Sequence, residues 1–394
     1  MSKKHPVNKM MQYRQRLLGG IMLALTPCFA SAGASMQVGE EGTLNINYAV
    51  QVWSQFRDYR SATDSGSSFD TFLRRNRVTF FGQYNDSVGY YAQLEAGSDS
   101  RDGQDNRSVY YRDAYITLDY SDSARFIVGR FKNTFSRENL EACLEPLTLD
   151  RAEVISYTPF AGTRDTGIAM WGNLADAAFQ YRFMIADGRE GEAPAKDSPR
   201  FTARFHWSPL DPEYDYGYRG TYLGTSKVFT IGIGYDYQPD VAYADAVAMT
   251  EPVDYTAMTA DIFWEQPTAS GTYTLSAAIF DYDTENAIDN PNHDDTLFSN
   301  AQMEASYVKG AYLFPDKIGI GRLQLFFRHE ASDYKQTTKN LDQTWSSVGA
   351  NYYIDGQRLK LTAEFAQIAF DEEDLADASR QDYGQATVGL QLIF

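Results

Sequence analysis

The chain has 394 residues, with 35 Lys and Arg against 53 Asp and Glu, a formal net charge of −18 and a pI near 4.6. An acidic chain without a basic tract is poorly suited to neutralising phosphates, which argues against nucleic acid as a partner. Two cysteines rule out a disulfide framework and a thiolate-rich metal site. A hydrophobic content of 43% and a mean hydropathy of −0.45 would suit two or three soluble domains, but 14% aromatic residues exceed what a helical or α/β core requires.

The first 34 residues read as a secretory signal peptide. Lys3, Lys4, Lys9, Arg14 and Arg16 form a basic start, Leu17 to Phe29 an apolar stretch, and Ala30-Ser31-Ala32 or Ala32-Gly33-Ala34 a small-residue cleavage site. The apolar stretch is shorter than the roughly 20 residues of a spanning helix. Pro27 before Cys28 argues against lipidation. Removing the five bases shifts the net charge from −18 to −23 and leaves residues 35–394 as one domain.

From residue 43 onward the pattern has period two, the signature of extended strands. Leu44, Ile46, Tyr48, Val50 and Val52 alternate with Asn45, Asn47, Ala49, Gln51 and Trp53; Phe179, Tyr181, Phe183 and Ile185 enclose Gln180, Arg182 and Met184. Sixteen such runs follow: 43–58, 72–84, 88–96, 108–120, 124–131, 164–172, 178–186, 199–208, 228–238, 255–264, 271–280, 300–313, 321–330, 344–354, 358–368 and 383–394. Short turns at 85–87, 121–123, 173–177 and 355–357 are interleaved with long connections, of which 132–163 is the longest. Residues 209–227 break that rule, being a long connection where a short turn is due, and suggest a local hairpin. No apolar run approaches the length of a transmembrane helix.

A soluble sandwich and a membrane barrel both give such runs. Tyrosines at strand ends (Tyr48, Tyr84, Tyr110, Tyr111, Tyr235, Tyr237, Tyr352, Tyr353) suit interfacial girdles. Charged residues in mid-strand suit a wet lumen, and the alternating terminal strand ends on Phe394. The expectation is an all-β transmembrane antiparallel barrel of about sixteen strands with a polar lumen.

Within that pattern, Phe72-Leu73-Arg74-Arg75-Asn76-Arg77-Val78-Thr79-Phe80, Arg112-Asp113-Ala114-Tyr115-Ile116 and Val128-Gly129-Arg130-Phe131-Lys132-Asn133-Thr134-Phe135-Ser136 resemble the phosphate-selective porin O and P family of outer-membrane porins. Thr344 to Tyr353 and Thr387 to Phe394 are similar as well. The resemblance implies a barrel in the bacterial outer membrane, in contact with its lipid and lipopolysaccharide. It also implies a homotrimer, with the third extracellular loop, here 132–163, folded into the pore.

With apolar positions facing lipid, the polar phase points Arg75, Arg77, Arg182, Arg204, Arg322 and Arg328 into the lumen, with His206. This row resembles a basic ladder for anions such as phosphate, which guanidinium groups bind by forked hydrogen bonds. The constriction loop carries Glu138, Glu141, Glu145, Asp150 and Glu153 against Lys132, Arg137 and Arg151, an acidic excess that opposes anion selection. The same arginines could instead hold the loop in place. Acid clusters at 281–295 and 371–377 read as solvated loop crowns, without the positional pattern of a calcium loop. Cys143 reads as a small buried residue.

The functional expectation is a water-filled channel for passive diffusion of small ions or solutes, without a cofactor or metal. A barrel that sheaths or docks a secreted partner, such as an electron-transfer protein, with little open conductance is the alternative. His206, His293 and His329 lie in no nucleophile or metal-hydrolase motif, so no enzymatic activity and no catalytic residue are expected.

Overall fold

The computed structural model describes residues 33–58, 66–97, 108–155, 163–188, 196, 198–245, 248–285, 302–335, 340–373 and 380–394. The expected signal peptide falls outside them up to residue 32. No helix among them is long and apolar enough to cross a membrane; the crossing elements are strands.

Sixteen strands form a closed antiparallel meander: β2 (Gly42–Arg57), β3 (Ser68–Asn85), β4 (Val88–Glu95), β5 (Tyr110–Ser121), β6 (Ala124–Lys132), β7 (Arg164–Leu174), β8 (Phe179–Ala186), β9 (Arg200–Trp207), β10 (Val228–Asp245), β11 (Thr250–Thr268), β12 (Gly271–Asp283), β13 (Met303–Ile318), β14 (Gly321–Tyr334), β15 (Gln343–Asp355), β16 (Leu359–Phe370) and β17 (Tyr383–Ile393). Each pairs with its neighbour in sequence, and β17 closes the ring on β2, from Ile393 opposite Ala49 to Gln385 opposite Arg57. A short preceding strand, β1 (Ala34–Val38), pairs with residues 42–46 of β2, the stretch of edge that β17 leaves open where the chain ends. It was not foreseen, and it begins on Ala34.

The exposure pattern is inverted relative to a water-soluble protein. Along β8, Phe179, Phe183 and Ile185 are exposed while Gln180, Arg182, Met184 and Ala186 are buried. Ile231, Ile233, Leu325, Phe327, Phe365, Val388 and Leu390 lie outside in the same way. A lipid-facing apolar band and a polar interior give this alternation, and closure leaves no strand edge unpaired in hydrocarbon.

The runs expected from the sequence all correspond to strands, with three departures. The stretch between the expected runs 228–238 and 255–264 is mostly strand, because β10 runs on to Asp245 and β11 starts at Thr250. β13 continues past Pro315 to Ile318, where a register shift between Leu313 and Lys317 accommodates the residue without an N–H. Residues 209–227 contain no hairpin; they fold into the lumen as an irregular segment.

The interior also holds more than polar groups. Phe135, Ala152, Val154 and Ile155 of the constriction loop pack on an inward apolar wall from β10 to β14 that includes Val241, Tyr255, Phe280, Tyr282, Met303 and Tyr307. Tyr353, expected at the outer girdle, is likewise buried inside. A chain segment that enters the lumen must bury apolar side chains somewhere, and these inner-wall aromatics supply the surface.

Candidate functional site: the lumen constriction

The constriction loop leaves β6 at Lys132 and turns at once into the short helix α1 (Arg137–Leu140). Ser136 caps α1 by accepting from the Asn139 N–H at 3.1 Å. The loop then crosses the lumen and is held by backbone and side chain together. Asn351 on β15 donates to the Leu147 carbonyl at 2.9 Å, Gln391 on β17 to the Leu144 carbonyl at 2.9 Å, and Arg328 on β14 to the Arg151 carbonyl at 3.1 Å. The Glu330 carboxylate accepts from the Val154 N–H at 3.0 Å. The described part of the loop ends in a 3-10 turn over Glu153–Ile155. Gly234 on β10 lets the loop backbone approach: a Cβ there would lie 2.1 Å from the Phe135 carbonyl oxygen.

The loop acids are matched by wall cations. Asp150 receives Arg74 at 2.8 Å and Arg75 at 2.9 Å, and Glu138 receives Lys309 on β13 at 2.7 Å. Glu145 lies 3.4 Å from Arg219, and Glu153 is buried at the loop's end. Burial pushes the Glu141 carboxyl up to about 7, with Lys309 at 3.6 Å pulling the other way. It pushes Glu145 up to about 8, against the nearby Lys360. Among the loop bases, Arg137 forms a two-pronged pair with Glu213 at 2.7 and 2.8 Å, Arg151 donates to the Asn139 carbonyl, and Lys132 to the carbonyls of Leu140 and Glu141.

The six lumen arginines expected from the sequence all point inward, and each is engaged. Arg75 holds Asp150; Arg77 holds Glu95 at 2.8 Å; Arg328 holds Glu364 and Glu330. Arg322, half-buried, donates to the carbonyls of Phe314 and Leu223. Arg182 and Arg204 lie directly opposite each other on β8 and β9, a pairing of like charges that is unfavourable by itself. Arg204 is compensated by Asp261 at 2.6 Å, and both guanidinium groups donate to the Tyr218 hydroxyl, at 2.9 and 3.2 Å.

Tyr218 belongs to the inward segment 209–227, which supplies the second half of the constriction. Its hydroxyl also meets His206 Nδ1 at 2.6 Å. Its backbone bridges Glu141 in a parallel sense: Ala142 N–H donates to the Tyr218 carbonyl at 2.9 Å and Tyr218 N–H to the Leu140 carbonyl at 3.3 Å. Gly220 donates to the Glu145 carbonyl at 3.0 Å and passes so close beneath the loop that a Cβ would lie 2.3 Å from the Leu147 nitrogen. Glu265 on β11 anchors the segment's far end by accepting from Thr221, Tyr222 and Gly224. Burial alone would raise the Glu213 carboxyl, but the Arg137 guanidinium beside it holds it down to about 2.

Arg74, Lys309, Glu213 and Tyr218 were not among the expected site residues. Arg74 was missed because strict alternation points it to lipid. A register shift between Gln51 and Val52 makes it the extra residue of a bulge, so Arg74 and Arg75 both turn inward. The run of tyrosines in 214–222 was the one visible sign of the inward segment.

Between the loop, the segment and the wall of β3 to β7 lies a cavity of about 180 Å³. Its charged lining comprises Arg77, Lys132, Arg164 and Arg219 against Asp113, Glu145 and Asp215. Cys143 also lines it, as a buried free thiol. Among the described residues no group of His, Cys, Asp and Glu is placed to hold a metal ion. Asp289, His293, Asp294, Asp295, Asp374 and Asp377 of the acidic loops lie outside the described residues.

Solved barrels share the architecture at low identity. Salmonella typhi OmpF, solved in complex with daunomycin, matches with a TM-score of 0.59 and 12% identity over 90% of this chain and 98% of its own. The Acinetobacter baumannii outer-membrane channel DcaP gives 0.57 and 12% over 91% and 99%. An anion-selective porin from Comamonas acidovorans gives 0.56 and 11% over 90% and 100%. No curated protein sequence matches the chain. The model of the family described as phosphate-selective porin O and P matches residues 46–394, nearly the whole length, and the chain belongs to that family of outer-membrane porins.

Proposed function

We propose that the protein is a narrow, weakly anion-preferring diffusion pore for small solutes, assembled as a homotrimer and without enzymatic activity. The charge balance of the constriction cavity carries this reading. Four bases line it against three acids, and burial pushes one of those acids, Glu145, up to about 8. A confined lumen with a low-dielectric wall strengthens the field of such fixed groups. The acidic excess of the constriction loop does not oppose it, because Glu138 and Asp150 are matched by Lys309, Arg74 and Arg75.

The same pairing argues against a dedicated phosphate ladder. Arg182 and Arg204 are occupied by Tyr218 and Asp261, and Arg328 by two carboxylates. The deciding measurement is the reversal potential of the reconstituted protein in a KCl gradient, repeated with phosphate. A chloride-to-potassium permeability ratio modestly above one, without preference for phosphate, is expected; a ratio below one overturns the anion preference. Conductance steps in multiples of three would support the trimer.

A second reading rests on the density of packing around Tyr218, which is only 1% exposed, with its guanidinium partners Arg182 and Arg204 at 0%. A lumen filled by two chain segments supports a barrel of low conductance that docks or sheaths another protein. Absence of conductance in a folded, heat-modifiable preparation would favour that reading over the pore.

A further inference from the structure

The cavity beneath the constriction loop has a surface unlike that expected for an inorganic anion. Phe81, Tyr91, Tyr115, Phe131 and Tyr216 make much of its lining. Tyr91 and Tyr115 are stacked at 5.0 Å with planes 9° apart, and Phe131 meets Tyr115 edge-on at 6.4 Å. The register places Phe81, Tyr91 and Tyr115 directly opposite one another on β3, β4 and β5, so the rings form one continuous patch across three strands.

One cation in this lining differs from the rest. Arg77 is matched by Glu95 and Arg164 by Asp113, whereas the Lys132 amino group donates to two neutral carbonyls, of Leu140 at 3.1 Å and Glu141 at 2.5 Å. Among the described residues no carboxylate lies within ion-pair distance of it. An ammonium has three donors, and the third has no protein acceptor in this set. The cavity therefore combines an apolar aromatic wall with an ammonium bonded only to two carbonyls, near the Cys143 thiol.

We propose that this cavity is a binding subsite for small monocarboxylates that carry a ring, with the carboxylate on Lys132 and the ring against the Phe81, Tyr91 and Tyr115 patch. Volume fits the class: an apolar cavity of about 150 Å³ accepts benzene, and this one, at about 180 Å³, has room for a ring bearing a carboxylate. Phosphate fits poorly, because its hydration would be stripped against an apolar wall with one ammonium to replace it. The assignment deepens the pore reading above and rests on it for the ligand's route to the cavity.

The test uses the full-length mature protein folded in detergent, titrated calorimetrically with sodium benzoate, acetate and phosphate and with benzyl alcohol, alongside block of KCl current by the three salts in planar bilayers. Benzoate is expected to bind and block at concentrations about tenfold below acetate, from burial of the ring, with phosphate no tighter than acetate. Lys132→Gln should reduce benzoate affinity to that of benzyl alcohol, and Tyr115→Ala should bring benzoate within about threefold of acetate. Should Tyr115→Ala fail the heat-modifiability check for folding, Lys132→Gln carries the comparison. Equal affinity for the three anions, or tighter binding of phosphate, overturns the subsite. Conductance without benzoate preference overturns it and leaves the pore standing, whereas benzoate binding without any KCl conductance overturns the pore and leaves the subsite standing.

Discussion

Asp150 ties the constriction loop to the barrel wall. Two guanidinium groups converge on it, Arg74 and Arg75, all three side chains being buried. Removing one partner of a buried ion pair leaves an uncompensated charge, at a cost of roughly 3–5 kcal/mol. Asp150→Asn is therefore expected to loosen the loop, lower the thermal unfolding midpoint, and raise the chloride-to-potassium permeability ratio as the two arginines become available to solute; an unchanged ratio would show that they do not reach the conducting path. Glu145 gives a pH signature. Its carboxyl, pushed up to about 8, is protonated at neutral pH and gains a negative charge as pH rises through that value. The anion preference should fall between pH 7 and 9, and Glu145→Gln should flatten the profile. Because the folded carboxyl binds its proton more tightly than the unfolded one, its contribution to loop docking is full below its ordinary value and is lost as pH rises through about 8. Inward orientation of Arg75, Arg77, Arg182, Arg204, Arg322 and Arg328 was legible from alternation alone. Their partners were not, because a partner is chosen by folding across the lumen, between residues far apart in sequence.

At the scale of elements, the two inward segments hold each other. The constriction loop rests on the inner aromatic wall of β10 to β14, and the 209–227 segment clasps it through Tyr218, Gly220 and the Arg137–Glu213 pair. Gly220→Val places side-chain atoms where the loop backbone already lies, and Tyr218→Ala removes the hydroxyl that Arg182, Arg204 and His206 share. Either change is expected to raise single-channel conductance, and Tyr218→Ala to raise anion preference as well, since Arg182 and Arg204 each lose a hydrogen bond to its hydroxyl. Conductance unchanged in both would separate the segment from the conducting path. Acid should act on the same clasp: with Glu213 held down to about 2, its ion pair contributes stability above the ordinary glutamate range that is lost as pH falls towards 2. The long connection at 209–227 was visible in the sequence, and its reading as a hairpin failed because tyrosine-rich alternation over a few residues satisfies a strand and an aromatic clasp equally well.

On the scale of the whole molecule, the ring closes where the chain ends. Phe394 exchanges two backbone hydrogen bonds with Tyr48, at 2.7 and 2.9 Å, and their rings meet edge-on at 5.5 Å. Deleting Phe394 removes both bonds and the ring contact at the seam. The expected result is a lower temperature for loss of heat-modifiable mobility and a reduced yield of folded barrel, and a wild-type profile would show that β17 closes the ring without its last residue.

Strand number, lipid-facing phase and barrel class follow from the sequence by itself. A membrane imposes period-two segregation on every strand, and local alternation records that rule residue by residue. The interior was decided only by the tertiary structure. A bulge turned Arg74 inward beside Arg75, aromatics were drawn inside to receive the loop, and Tyr218 was set between two opposed arginines. Each of these depends on contacts between segments tens to hundreds of residues apart, across a lumen whose filling no local pattern encodes.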